Sequence, residues 1–192
     1  MKFSNVTIAG AGTLGSQIAW QTAFYGFNVT VFDAFEKGLE VGKAYHQKYA
    51  ELFLKTRGAS HDEIDQTISR LSYTTDLAEA VKDADIVSES IPENLEIKQS
   101  FYQELGKVAP EKTIFTTNSS TITPSEIVIA VDRPDKTSNI RVGPTQLIEY
   151  SKQSFNITSL KRLKSLIYMD ENTALRRKHH ATRQSLFSSR PL

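Results

Sequence analysis

Short apolar segments alternate with longer amphipathic ones along the first 136 residues of this chain. Residues 6–9 and 29–32 are apolar and rich in β-branched side chains, which is typical of buried parallel strands. A helix is predicted where apolar side chains recur three or four positions apart, as at Ile97, Phe101, Leu105 and Val108. Regular alternation of such segments predicts a doubly wound, mostly parallel α/β sheet.

The same pattern places the individual elements. Strands are predicted at residues 6–9, 29–32, 71–75, 85–88 and 113–117. Helices are predicted after the first strand, ending at Gly26, and at residues 35–56, 60–71, 76–83, 94–109 and 123–131. Ser60 with Glu63 three residues later is a capping-box signal for the third of these helices. A helical pair at about residues 35–70 is therefore expected as an insertion between the second and third strands.

Charge and pattern both change at Lys136. Residues 1–136 carry a net charge of −6 and residues 137–192 a net charge of +7, although the whole chain carries +1. Beyond Lys136 no strand–helix alternation is visible, and Ser, Lys and Arg dominate. We expect a domain at residues 1–136 and an atypical basic tail at residues 137–192. We interpret the tail as the product of a truncated gene or of translation out of frame. We expect no binding to nucleic acid or to a membrane.

Composition excludes several kinds of site. The absence of cysteine excludes a disulfide framework, a thiolate zinc site and a cysteine nucleophile. The four histidines show no metal-ligand spacing, so we expect no metal and place all four on the surface. No apolar run approaches the roughly 20 residues of a membrane span, and the N-terminus lacks a secretory signal. We therefore expect a cytoplasmic protein.

A glycine motif, GAGTLG, lies between the first strand and the first helix. Gly10 suits a tight turn, Gly12 lets the backbone approach a pyrophosphate, and Gly15 lets the helix pack close to the strand. The start of the helix, at Thr13 and Leu14, then faces the phosphates. This context predicts a dinucleotide site of the Rossmann type.

Asp33 lies at the end of the second strand, 18 residues after Gly15. Its carboxylate is placed to accept hydrogen bonds from an adenosine ribose and would repel a 2′-phosphate, which favours NAD over NADP. The alternative is a tight turn in the core beside an unrelated surface acid.

Two further polar segments follow predicted strands. Glu93 and Lys98 come after the fourth strand, and Asn118 and Ser120 follow the fifth. Because ligands collect at the carboxyl ends of strands in an open sheet, these side chains are candidates for contacts with a cofactor and a substrate alcohol or carbonyl. The alternatives are a helix-start carboxylate with a solvated lysine, and a polar loop before the next helix.

Three motifs, GAGTLGSQIAWQTAFYGFNVTVFD, SESIPENLEIKQ and TIFTTNSSTITPSEI with RPDK after it, together resemble one family. It is the L-3-hydroxyacyl-CoA dehydrogenases, including 3-hydroxybutyryl-CoA dehydrogenase, and the resemblance to their NAD-binding domain runs from about Phe3 to Lys136. The resemblance implies an NAD-dependent oxidoreductase of fatty-acid metabolism that converts an L-3-hydroxyacyl-CoA to the 3-oxoacyl-CoA.

The resemblance also implies roles for individual residues. In the family, positions matching Ser120 and Asn118 act at the substrate's 3-oxygen and beside the nicotinamide. Cofactor contacts are implied for the remaining matched positions: Gly10, Gly12, Thr13, Leu14, Gly15, Asp33, Glu93 and Lys98.

The inserted helical pair resembles the arm that meets coenzyme A in this family. Lys48, Lys55 and Arg57 are the implied contacts to the phosphates of an acyl-CoA substrate. The family is dimeric through a C-terminal helical domain, and residues 137–192 do not resemble that domain.

Two departures from the family's pattern concern catalysis. Arg141 falls where the family has its catalytic histidine base, and Gln153 falls near the glutamate that orients this base. Arginine does not lose its proton in proteins and cannot act as a general base. We therefore expect a chain that binds NAD but is catalytically impaired; the alternatives are a non-catalytic NAD(H)-binding regulatory module and, disfavoured by the helical pair, a 6-phosphogluconate-type dehydrogenase.

Overall fold

The computed structural model describes residues 3–119, 121–122, 126–127 and 137–139, all of which lie within Met1–Arg141. Strands and helices alternate in it as the sequence pattern predicts. In chain order the elements are β1 (Asn5–Ala9), α1 (Thr13–Phe24), β2 (Asn28–Phe32), α2 (Glu36–Arg57), α3 (His61–Ser69), β3 (Leu71–Thr74), α4 (Leu77–Val81), β4 (Ile86–Glu89), α5 (Leu95–Val108), β5 (Ile114–Thr117) and β6 (Thr137–Asn139).

The strands form one sheet in the order β3-β2-β1-β4-β5-β6, and every neighbouring pair is parallel. The prediction of a doubly wound parallel fold is confirmed. The strand order reverses between β1 and β4, and in open sheets of this kind a crevice is expected beyond the carboxyl ends of the two strands at such a reversal. That crevice is where ligands bind in folds of this type.

Side chains from the two faces of the sheet form separate parts of the core. Ile8 and Val31 pack with α1 on one face, whereas Val87 and Phe115 pack with α4 and α5 on the other. A strand buried on both faces needs apolar residues at successive positions, which explains the continuous apolar runs in the sequence.

The strand β6 contradicts the expectation that regular structure ends at Lys136. Thr137 pairs with Phe115 of β5, and the pairing continues in register to Asn139. Three residues are too few to show an alternating pattern, so the strand depends on pairing with β5 rather than on a local signal. The expected helix at residues 123–131 and the rest of the predicted tail fall largely outside the described residues.

The buried face of α5 also differs from the prediction. Phe101 and Leu105 are buried as expected, but Ile97 is 48 % exposed and Val108 is 40 % exposed. Lys98 and Tyr102 are buried in their place. The helix is turned so that the Lys98 ammonium group meets a buried carboxylate on β4, that of Glu89.

The inserted helical pair is confirmed. Gly58 ends α2 with φ of +65°, a left-handed conformation that glycine adopts without strain. Ser60 and Glu63 form the predicted capping box at the start of α3. Phe53 and Ile64 pack around Trp20 of α1 and so hold the pair against the rest of the domain.

The prediction that all four histidines lie on the surface is wrong for His46. This side chain on α2 is 3 % exposed. Its Nδ1 lies 2.6 Å from the Tyr73 hydroxyl and its Nε2 lies 3.0 Å from the carbonyl oxygen of Ser16. Burial lowers the pKa of His46 to about 4, against a smaller opposing effect of the Ser16 hydrogen bond. His61 is exposed, and the other two histidines lie outside the described residues.

Among the residues that the structure describes, no helix is both long enough and apolar enough to cross a membrane. Within the same part of the chain, no three acidic, histidine or cysteine side chains are grouped to hold a metal ion.

Candidate cofactor site

The turn between β1 and α1 requires two of its glycines for backbone reasons. Gly10 has φ of +103°, and a Cβ there would lie 2.6 Å from the carbonyl oxygen of Ser90. A Cβ on Gly15 would lie 1.8 Å from the carbonyl oxygen of Gly10. No side chain fits at either position, so these glycines build the turn itself.

Gly12 differs because nothing in the described structure crowds it. A Cβ there would meet no described atom within 4 Å. Gly12 is also the N-cap of α1, whose start has no side-chain cap and no acidic residue in its first turn. The first amide groups of α1, including those of Thr13 and Leu14, therefore lack an internal acceptor, and a pyrophosphate would satisfy them.

Asp33 lies beside this turn. Its Oδ2 accepts a hydrogen bond from the Ala11 N–H at 2.9 Å, and its Oδ1 accepts one from the Phe35 N–H at 3.1 Å. Gly38 lies against the same carboxylate, since a Cβ there would come within 2.4 Å of it. The structure thus brings the predicted ribose acid and the glycine motif together at the end of β2.

Lys98 of α5 forms a buried ion pair with Glu89 at the end of β4. Its Nζ lies 2.6 Å from Oε1 of Glu89, and both side chains are almost completely buried. The same Nζ lies 3.4 Å from Oε2 of Glu93 and donates to the carbonyl oxygen of Ile91 at 3.3 Å. Direct contact of Lys98 with a cofactor stays a prediction; in this structure the ammonium group holds two carboxylates in place.

Glu89 connects the segments that follow β4 and β5. Its Oε1 also accepts from the Ile91 N–H at 2.8 Å, and its Oε2 accepts from the Thr117 hydroxyl at 2.7 Å. Glu89 has no role predicted from the sequence. One sequence signal could have pointed to Glu89: it is an acidic residue at the last position of an apolar strand. A carboxylate buried there needs a cation nearby.

Glu93 joins the loop after β4 to the loop after β5. Its Oε1 accepts hydrogen bonds from the Ser119 hydroxyl and from the N–H and hydroxyl of Thr121. Partial burial alone would raise the pKa of Glu93, but these hydrogen bonds and the charge of Lys98 lower it to about 2. Glu93 is therefore a carboxylate at any ordinary pH.

Asn118 is fixed by its amide nitrogen. Its Nδ2 lies 2.9 Å from the Ser90 hydroxyl, 3.2 Å from the Ser88 hydroxyl and 3.0 Å from the carbonyl oxygen of Glu89. No described residue donates a hydrogen bond to its Oδ1, so that oxygen can accept one from a ligand. Ser120, the other predicted substrate contact, lies outside the described residues.

The three predicted coenzyme A contacts lie on α2 and are exposed. Each cation already has a neighbour within the chain. Lys48 lies 5.8 Å from the Tyr45 ring, Lys55 lies 3.6 Å from Glu51, and Arg57 lies 4.8 Å from the Phe53 ring. These exposed contacts are weak and leave the cations accessible to a phosphate.

The chain matches the family model described as "3-hydroxyacyl-CoA dehydrogenase, NAD binding domain" over residues 5–142. It is 32 % identical over 174 residues to the mitochondrial hydroxyacyl-coenzyme A dehydrogenase of Rattus norvegicus, covering 85 % of this chain and 54 % of the relative. It is also 32 % identical to a probable 3-hydroxybutyryl-CoA dehydrogenase of Bacillus subtilis, covering 71 % of this chain and 47 % of the relative. The family match runs past Lys136, where the motif resemblance was expected to stop.

Solved structures agree with these sequence matches. The structure of a diketoreductase with dual catalysis of dicarbonyl compounds is 42 % identical with a TM-score of 0.71, covering 74 % of this chain and 51 % of that one. FadB2 of M. tuberculosis is 26 % identical with a TM-score of 0.72, covering 76 % of this chain and 51 % of that one. The chain therefore spans about half the length of the relatives it matches.

Proposed function

The chain belongs to the 3-hydroxyacyl-CoA dehydrogenase family, and from this premise we propose that it binds NAD(H) at the glycine turn as the cofactor-binding part of a dehydrogenase for L-3-hydroxyacyl-CoA. The observation that carries the proposal is the open space at Gly12 beside the Asp33 carboxylate. The uncapped amides of α1 suit a pyrophosphate, and a carboxylate next to them suits ribose hydroxyls.

Different residues of the chain would bind different parts of the cofactor. The backbone at Gly12, Thr13 and Leu14 binds the phosphates, and Asp33 accepts from the adenosine ribose. Asn118, fixed through its Nδ2, offers Oδ1 to a carboxamide or a substrate hydroxyl. Bound NAD would supply the hydride acceptor, and the protein supplies binding and orientation.

Glu93 and Lys98 fit a supporting role in this proposal. Glu93 stays ionised and holds the loop after β5 at Thr121. Its remaining exposure leaves it accessible to a ribose hydroxyl, whereas Lys98 stabilises it from behind. Ser120, next to this loop in sequence, is the proposed hydroxyl for the substrate's 3-oxygen.

We further propose that this chain turns over its substrate poorly. Arg141 and Gln153 occupy the positions where the family resemblance implies the catalytic base and the acid that orients it. A general base contributes about 10²–10⁴-fold to the rate of such a reaction.

We also propose that Lys48, Lys55 and Arg57 bind the phosphates of an acyl-CoA substrate. A dimer and a cytoplasmic location stay predictions, and the rat relative is named as mitochondrial.

Binding and turnover measured separately test the proposal. Calorimetric titration of the full chain with NADH is expected to show saturable binding, and NADPH is expected to bind more weakly. Oxidation of NADH with acetoacetyl-CoA is then expected to run near background. No NADH binding would overturn the proposed cofactor site, and ordinary turnover would overturn the proposed impairment. Binding without turnover also fits the non-catalytic NAD(H)-binding module, which would bind no coenzyme A ester.

A second candidate function is reduction of a small dicarbonyl compound. It is favoured by the 42 % identity to the diketoreductase, which exceeds the identity to the dehydrogenases reported above. The same NADH assay with a 3-oxo ester that lacks coenzyme A distinguishes the two. Turnover of the free ester but not of acetoacetyl-CoA would favour the dicarbonyl reductase.

A further inference from the structure

The helical pair contacts the glycine turn through one hydroxyl–hydroxyl pair. The Tyr45 hydroxyl on α2 lies 3.0 Å from the Thr13 hydroxyl, and Thr13 is the first residue of α1 after Gly12. The proposed function uses the backbone of Thr13 and leaves Tyr45 without a role. The inference below rests on that proposed function and extends it to these two side chains.

The packing of α2 fixes the position of the Tyr45 side chain. Its ring stacks on that of Tyr49 with 6.1 Å between centroids and 13° between planes. One turn earlier in α2, Gly42 lies against the glycine turn, since a Cβ there would come within 3.1 Å of the Ala11 Cβ. Tyr45 therefore reaches Thr13 from a helix that is held close to the turn.

The two hydroxyls differ in what they can offer. Each carries one proton and can accept at its oxygen, and a phenol is in general a stronger hydrogen-bond donor than an alcohol. When Tyr45 donates to Thr13, the Thr13 proton is left for another acceptor, and a donor that itself accepts a hydrogen bond is strengthened. The acceptor expected next to Gly12 is a pyrophosphate oxygen.

We propose that Tyr45 is a positioning residue, whose hydroxyl holds the Thr13 hydroxyl as a hydrogen-bond donor to the cofactor pyrophosphate. The α2 helix then contributes to cofactor binding through Thr13. The isosteric change Thr13→Val removes the donor, Tyr45→Phe removes the group that orients it, and Thr13→Ser keeps the hydroxyl.

The test is a double-mutant cycle on the dissociation constant for NADH, measured by calorimetry on the full chain. Y45F and T13V are each expected to raise the constant by about 3–10-fold, the range of one hydrogen bond. Because Tyr45 acts only through Thr13, the double variant is expected to bind no more weakly than T13V. T13S is expected to bind within about twofold of the unchanged chain.

Tyr49→Phe is the matched control, because Tyr49 lies one turn further along α2 and interacts with Gln17 of α1 instead of Thr13. Y49F is expected to leave the NADH dissociation constant unchanged, so a general loosening of α2 would appear as weaker binding in both tyrosine variants. Unchanged binding in Y45F, or losses that multiply in the double variant, would overturn this inference alone. An unchanged chain that binds no NADH would overturn the proposed function and this inference with it.

Discussion

Lys98 and Glu89 form an ion pair with 2.6 Å between Nζ and Oε1, and their side chains are 1 % and 0 % exposed. The pair joins α5 to the carboxyl end of β4, and the candidate site lies at the carboxyl ends of the strands. Charges this deeply buried are tolerated because each finds several partners: Glu89 also accepts from Ile91 and Thr117.

Replacing Lys98 is expected to destabilise the domain strongly. Lys98→Met leaves the Glu89 carboxylate buried without its cation, and the expected loss in the free energy of unfolding is about 3–5 kcal/mol. Denaturant titration measures it. The double variant K98M/E89Q is expected to recover part of the loss, because no fully buried carboxylate is then left without a cation and the remaining Glu93 is partly exposed.

The matched control for Lys98 is an exposed lysine in an equally short pair. Lys82 lies 2.7 Å from Glu79 with more than half of each side chain exposed. K82M is expected to leave the free energy of unfolding unchanged, since exposed pairs contribute little. Equal losses in K82M and K98M would contradict a special role of burial.

The two glycines Gly12 and Gly15 are expected to respond differently to alanine. Gly15→Ala forces a Cβ against the Gly10 carbonyl, so the midpoint of thermal unfolding is expected to fall by several degrees. Gly12→Ala meets no described atom, so its unfolding temperature is expected to fall less than that of Gly15→Ala, by no more than the loss of a favourable N-cap residue. Its methyl group would instead occupy the space of the pyrophosphate, and the NADH dissociation constant is expected to rise at least about tenfold, or 1.4 kcal/mol. A G12A chain that binds NADH normally would place the cofactor elsewhere.

Asp33 is expected to decide between NAD and NADP. Asp33→Asn removes the charge that repels a 2′-phosphate, so the ratio of the NADPH to the NADH dissociation constants is expected to fall several-fold. Asp62→Asn, which removes an exposed carboxylate on α3, controls for the change in net charge. The same preference for NADH in D33N as in the unchanged chain would exclude Asp33 as the selective group.

His46 is expected to make the stability depend on pH. Its pKa is about 4 in the folded chain, against 6.5 for an ordinary histidine, so between these values the unfolded chain binds the extra proton. The His46 contribution is fully present above pH 6.5 and is lost as the pH falls towards 4. The expected slope is up to about 1.4 kcal/mol per pH unit.

Denaturant titrations between pH 7 and pH 4 measure this slope. His46→Gln is expected to flatten it, and the exposed His61 provides the control, because H61Q is expected to retain the slope of the unchanged chain. A slope that H46Q leaves unaltered would assign the acid sensitivity to other groups.

Local signals account for what could be predicted from the sequence. The glycine turn, the end of α2 at Gly58 and the capping box at Ser60 each depend on a few neighbouring residues whose backbone preferences are strong. The position of Asp33 at the end of β2 follows from the same kind of pattern. These features fix the topology and the candidate cofactor site.

Features that depend on distant partners could not be predicted. His46 is buried because Tyr73 and Ser16, far from it in sequence, satisfy both ring nitrogens. Lys98 lies on the buried face of α5, where its ammonium group pairs with Glu89 of β4. A polar residue looks solvent-exposed in any pattern of hydrophobicity, and only the folded chain shows its partner.

The glycine turn is held between β2 and β4, which are far apart in the sequence, and this has a consequence for biosynthesis. Gly10 donates to Phe32 at 2.7 Å on the β2 side, and Ser90 donates to Ala9 at 2.7 Å on the β4 side. A nascent chain that has been synthesised only up to α3 contains the whole GAGTLG motif but lacks Ser90, which contacts the turn from the β4 side. The complete turn is therefore expected to form only after β4 has been synthesised and has inserted beside β1.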